Sequence, residues 1–156
     1  MNKIKLISWV AVILWMLLIF LFSHQPASTS SELSGGITEQ IIAVLQKILP
    51  DMGIAKEELH TFVRKNAHFF VYLILGMLTF NAVRKNGASG FRSGAAAFCI
   101  CVLYAISDET HQLFIPGRSG EARDVLIDSA GAGIGIGAFF LVSRILPRKK
   151  HRDING

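Results

Sequence analysis

The sequence predicts an all-α polytopic membrane protein. It would have four transmembrane helices and an extracytoplasmic amphipathic helical segment, folded as one domain over residues 1–156. Three observations carry that reading. Half of the chain (51%) is hydrophobic, and the apolar residues come in long blocks rather than between polar faces. Lys and Arg collect in the short segments at alternate ends of those blocks. The acids crowd the other connections, above all SDETHQLFIPGRSGEARD from Ser107 to Asp124.

The first span, about residues 4–22, follows Lys3 and Lys5. Its apolar core exceeds the ~7–15 residues of a signal-peptide core, so an uncleaved anchor is expected rather than cleavage near Ala27. The outer segment is 23–65. PASTSSELSGG reads as loop. In ITEQIIAVLQKIL, Ile37, Ile41, Leu45 and Ile48 recur at helical spacing, which predicts an amphipathic helix at the interface or against the bundle. PDMG ends it, and AKEELHTFVRKNAHFF leads as a helix into the second span, 66–83. RKNGASGFR is a tight turn. The third span, 93–107, is the shortest, with Asp108 and His111 near its outer end. The fourth, 125–146, carries Gly131, Gly133, Gly135 and Gly137, a small-residue surface suited to close helix packing. Cys99 and Cys101 point to different helix faces and cannot pair there.

Placing the N-terminus inside puts ten of the sixteen basic residues in the cytoplasm and ten of the eleven acids outside. Both termini are then cytoplasmic in a multi-pass protein of the cytoplasmic (inner) membrane. The net charge of +5 reflects this inner bias. No nucleic-acid motif accompanies it, so membrane lipids are expected partners and nucleic acid is not.

The outer face gathers the chemistry. Arg64, His68, Tyr72 and Gly76 are four apart on helix two. Tyr104, Ser107, Asp108, His111 and Gln112 share a face of helix three, and Asp124 and Asp128 a face of helix four. Polar stripes in a bilayer should face one another, because lipid-facing charge is expensive. The predicted pocket holds Arg64, Lys65, His68, Tyr72, Ser107, Asp108, Glu109, His111, Gln112, Arg118, Asp124 and Asp128, with Asn66, Glu121 and Arg123 nearby. Its charges nearly cancel, so a salt-bridge network tying three helices together stands beside a functional site as a reading.

His68, Asp108, His111 and Asp128 are the candidate catalytic residues, an imidazole held by a carboxylate being the simplest general base. Ser107 and Ser119 are the available hydroxyls, neither in a nucleophile elbow. Asp108 and His111, three apart, would need His68 to complete a metal site. No two-His helical motif supports one, so neither metal nor cofactor is expected. Pro116-Gly117 presents Arg118 for bidentate contact with phosphate or carboxylate, or for pairing with Glu121. His24, Glu57, Glu58 and His60 read as a solvated face.

RKNAHFFVYLILG, followed by YAISDETHQLFIPGRSGEARDVLIDSAGAGIG, resembles the VanZ family of small bacterial membrane proteins. FSHQPASTSSELSGG after the first span is similar to the segment found there in many members. The shared residues fall at Arg64, Lys65, His68, Tyr72, Gly76, Ser107, Asp108, Glu109, His111, Gln112, Pro116, Arg118, Asp124, Asp128 and Gly131. Position 66, often apolar in the family, is Asn here. The family takes its name from a protein associated with resistance to teicoplanin, a lipid-tailed glycopeptide. The resemblance implies a cell-envelope role at the outer face of the cytoplasmic membrane and no particular reaction. The readings carried forward are lowered susceptibility to lipoglycopeptides through the outer pocket, and hydrolysis or group transfer on a lipid-linked envelope precursor.

Overall fold

The structure is a computed structural model that describes residues 2–28, 32, 35, 36, 39–41, 44, 56–88, 90–118 and 120–145. It is all-helical among those residues, with helices α1 (Lys3–Ser23), α2 (Lys56–Lys85), α3 (Phe91–Gln112) and α4 (Ala122–Ile145). All four are long and apolar enough to cross a membrane, α2 over its Thr61–Lys85 part. Most of the expected amphipathic helix of residues 37–49 lies outside the described residues, as does the chain after Ile145.

Each helix buries a narrow face and leaves its other sides apolar, as lipid requires. On α1 the buried residues are Ser8, Val12, Ile19 and Ser23, one stripe at spacings of four and seven. Ile7, Ile13, Leu14 and Leu21 stand exposed around it. Helix α3 continues to Gln112, beyond the limit near residue 107 expected from hydropathy. Nothing interrupts it before Pro116-Gly117. The hydroxyls of Ser107 and Thr110 donate back to the Tyr104 and Ile106 carbonyls, both at 2.7 Å, so these polar residues sit comfortably in a helix. Half of the supposed outer loop is therefore helix, and Asp108, Glu109 and Gln112 are buried on it.

The bundle is organised by the crossing of α2 and α4. Gly131 lies against the Phe69 carbonyl, Gly135 against the Leu73 carbonyl, and Gly76 against the Ala132 carbonyl, so closely that a methyl group at any of them would collide with main chain. The expected continuation through Gly133 and Gly137 is not part of this contact. Gly133 faces the Phe98 ring of α3, and the space beside Gly137 is open.

Helices α1 and α3 pack onto that pair. Val12, Ile19, Tyr72, Leu75, Ala82, Cys101, Ala105 and Ala132 form the main core, and Phe80, Val83, Ala97 and Ile136 a second cluster. Backbone carbonyls tie α1 in register: the Trp15 indole N–H donates to Val71 O at 3.0 Å, and the Tyr104 hydroxyl to Met16 O at 2.5 Å. Cys101 is buried and Cys99 exposed, both as free thiols.

The two ends of the bundle differ. One carries Lys3, Lys5, Arg84, Lys85, Arg92 and Arg144, and no acid among the described residues. There Lys85 donates to the Ser8 hydroxyl at 2.8 Å and Arg84 to the Ser143 hydroxyl at 2.6 Å. Arg84 and Arg144 also lie over the Phe80 and Phe140 rings. The other end holds Asp108, Glu109, Glu121, Asp124 and Asp128.

The crossing makes a direct prediction. Gly135→Ala forces a methyl into the Leu73 carbonyl and should destabilise the protein by about 1–3 kcal/mol, the usual cost of overpacking. Gly137→Ala meets open space and should be neutral. Thermal unfolding in detergent, with the two variants side by side, checks the contrast.

Candidate functional site

Four helices deliver polar side chains to the acidic end. Helix α2 contributes His68 one residue before the Phe69 contact with Gly131, and Tyr72 one turn further in. Helix α4 contributes Asp128 one turn before Gly131. The close crossing therefore sets His68 opposite Asp128, with His68 Nδ1 3.6 Å from Asp128 Oδ1. Asp128 and Tyr72 are wholly buried, whereas a quarter of the His68 side chain is exposed.

Helix α3 contributes Asp108, 3% exposed, which is held from one side only. The Ser23 hydroxyl at the end of α1 donates to Asp108 Oδ2 at 2.7 Å. The Gln112 amide donates to Ser23 Oγ at 3.1 Å and lies 3.5 Å from the same Asp108 oxygen. One carboxylate oxygen is thus fixed by two partners, which orients the other inward. Glu109 is arranged similarly: its Oε2 accepts the Glu121 backbone N–H at 3.0 Å. Gly120 fits against the Glu109 carbonyl and Leu113 with no room for a side chain, which brings the loop down onto α3.

The rim is where charge cancels. Lys65 pairs with Asp124 at 3.0 Å and with Glu121 at 3.5 Å. Arg118, expected as an anion clamp or a partner of Glu121, donates instead from Nε to Gln25 O at 3.0 Å and from Nη2 to Phe22 O at 3.2 Å. It caps the carbonyl end of α1, where a cation is favoured. Burial, reinforced by the nearby Arg64 guanidinium, lowers its pKa below the ordinary arginine value.

Deeper in, charge does not cancel. Asp108 Oδ1, Glu109 Oε1 and both Asp128 oxygens accept no hydrogen bond among the described residues, and the Tyr72 hydroxyl makes none. Among the described residues the salt-bridge network expected from composition is reduced to the Lys65 pairs at the rim and the His68–Asp128 contact beneath them. One ligand atom each from His68, Asp108 and Asp128 lies within 4.8 Å of the others.

Other predicted site residues go elsewhere. His111 leaves the cluster for the α1–α3 edge, its Nε2 3.2 Å from His24 Nδ1, with the two rings stacked and the Phe20 ring 4.7 Å from His111. His24 is exposed, as expected of a solvated face, and is also a ring partner of His111. Ser107 is exposed and bonded to its own helix, and the half-buried Asn66 likewise donates to Phe62 O. Arg123 is exposed and Arg64 half-buried. Ser119 and the side chains of Glu57, Glu58 and His60 lie outside the described residues. Ser23 was not foreseen, although a Ser-His pair closing an apolar span was a visible signal. An apolar groove of about 570 Å³ lies at the opposite end between α3 and α4, lined by Phe91, Phe98, Gly133 and Phe140 among others.

This geometry offers a carboxylate-flanked imidazole that can exchange a proton, and inward oxygens able to ligate a cation. A family model, VanZ/LLP1, matches residues 8–143. The chain belongs to the VanZ/LLP1 family and is a multi-pass membrane protein. No curated relative and no solved structure matches it.

The Ser23–Asp108 bond is testable alone. Ser23→Ala should cost about 1–3 kcal/mol, because a buried carboxylate oxygen loses its hydroxyl donor. The same change in an Asp108→Ala background should cost less. A double-mutant cycle by thermal unfolding measures the coupling.

Proposed function

We propose that this protein works at the outer face of the cytoplasmic membrane, within the bacterial cell envelope, and that its acidic-end cluster lowers susceptibility to lipoglycopeptides such as teicoplanin. The observation that carries the reading is the burial of Asp108 and Asp128 inside membrane-spanning helices, each with unpartnered carboxylate oxygen. Such groups are expensive in a bilayer bundle, and ionisable residues there mark sites of function. The half-buried Arg64, Lys65 and His68 form the approach to the cluster and suit the anionic head of an envelope lipid. Family membership supports a bacterial envelope protein, and the basic end supports an inward-facing pair of termini.

A second reading has its own support. The His68–Asp128 contact is the arrangement a general base needs, and it favours a membrane-embedded hydrolase or transferase acting on a lipid-linked envelope precursor. His68 or Asp128 would move the proton, and Arg64 would hold phosphate. Altering that precursor would change how lipoglycopeptides engage the membrane, so the two readings share one site.

Susceptibility to teicoplanin and vancomycin in a sensitive host, with membrane abundance monitored, tests the proposal. Wild type should protect against teicoplanin but not vancomycin, and His68→Gln and Asp108→Asn should lose the protection at normal abundance. Full protection by both variants would rule out the enzyme reading. Failure of wild type to protect would overturn the resistance role. Orientation is checked separately in a Cys99→Ser/Cys101→Ser background. Phe114→Cys should react with an impermeant maleimide in intact cells, and Phe91→Cys only after permeabilisation, since both positions are well exposed.

A further inference from the structure

We infer that His68, Asp108 and Asp128 bind a divalent metal ion. The inference rests on the reading of this cluster as the functional site and names its missing component. Sequence spacing grouped Asp108 with His111, three residues along the same helix. The fold replaces His111 with Asp128 from α4, and so draws the ligands from three helices.

Three features point to a cation rather than to a mere group of acids. The first is convergence: one ring nitrogen and two carboxylate oxygens lie within 4.8 Å of one another. Donors around one ion at ~2.1 Å sit roughly 3.0–3.4 Å apart at cis or tetrahedral angles and ~4.2 Å apart when trans, so closure draws the widest pair in by about 0.6–1.8 Å. The second is that the inward oxygens are unused. Asp128 is 0% exposed and neither of its oxygens accepts a hydrogen bond among the described residues, nor does Asp108 Oδ1. The third is the outer support. Asp108 Oδ2 is held by Ser23, which is held in turn by Gln112, so the free oxygen is aimed by hydrogen bonds as ligating carboxylates usually are.

Two neighbouring cations among the described residues are committed elsewhere. Lys65 is engaged with Asp124 and Glu121, and Arg118 with the end of α1. Two carboxylates facing one half-buried imidazole leave a net negative site, which a divalent ion neutralises. One imidazole with two carboxylates suits Mn²⁺ or Zn²⁺ better than a thiol-seeking metal. Three protein ligands also leave coordination positions open on the ion, toward the side where Arg64, Lys65 and His68 are only half-buried. A phosphate oxygen of a lipid headgroup is the ligand class that fits there.

The test uses the full-length chain, purified in detergent and stripped with a chelator. It is titrated with Mn²⁺ by electron paramagnetic resonance, and with Mn²⁺, Zn²⁺ and Mg²⁺ by thermal unfolding. The expected result is one saturable Mn²⁺ per chain and a rise in unfolding temperature with Mn²⁺ or Zn²⁺. His68→Gln and Asp128→Asn should weaken binding at least tenfold. Ser23→Ala, which removes only a positioning bond, should weaken it by about tenfold. Should Asp128→Asn fail to accumulate, the wild-type titration and the other two variants still decide. Absence of saturable wild-type binding at millimolar metal, or equal binding by all variants, overturns the inference. A protein that protects against teicoplanin through His68 yet binds no metal sinks the metal and leaves the site. A protein that binds metal but never protects sinks the resistance role and leaves the metal.

Discussion

The main-chain contact between α2 and α4 fixes everything around it. Gly131 and Gly135 lie four residues apart on one helix and meet Phe69 and Leu73, four apart on the other, while Gly76 answers from the opposite side. In lipid no hydrophobic force drives two apolar helices together, so such a crossing is held by the area that close backbones can share. The contact also dictates chemistry. His68 precedes Phe69, and Asp128 stands one turn before Gly131, so the imidazole and carboxylate are brought together by the glycines rather than by their own attraction. Displacing either helix by the width of a methyl group would open the histidine–aspartate distance.

Around that pair the bundle spends stability at one end and recovers it at the other. At the basic end long cationic side chains bend onto hydroxyls and aromatic rings, as Arg84 does with Ser143 and Phe80. Their charge stays near the interface and costs little. At the acidic end carboxylates are carried inside, where among the described residues Lys65 at the rim, the His68 ring and the Ser23 hydroxyl meet them. Natural folds keep such arrangements where they serve binding or chemistry. The asymmetry separates an end whose charges are met near the surface from one whose carboxylates are buried.

Much of this was legible in the sequence because bilayer constraints are strong and local. Four apolar blocks, their glycine content, and the stripe of His68, Tyr72 and Gly76 at helical spacing required no knowledge of tertiary contacts. The length of α3 was underestimated because hydropathy drops at Asp108, although side chains that bond to their own helix let polar residues stay helical. The roles of Arg118 and His111 were hidden for another reason: each is decided by where the end of α1 lies. That placement depends on Trp15 and Tyr104 reaching backbone carbonyls, a pairing with no sequence period. Ser23 was missed likewise, since a serine ending a span is ordinary until its neighbour proves to be Asp108.

The carbonyls of Phe22 and Gln25 are completed by Arg118, a residue more than ninety positions later in the chain. Local N–H groups already meet the Phe20 and Phe22 carbonyls, so before the last hairpin arrives it is the Gln25 carbonyl that lacks its Arg118 partner. It stays dependent on water or headgroups until the last hairpin has been threaded across. Ser23 waits on the same event, because Asp108 reaches it only when α3 docks. The connection before α4 thus fastens the end of the first helix, whose middle is held separately by Trp15 and Tyr104. A chain truncated before that connection would hold an inserted first helix with nothing to fasten its end.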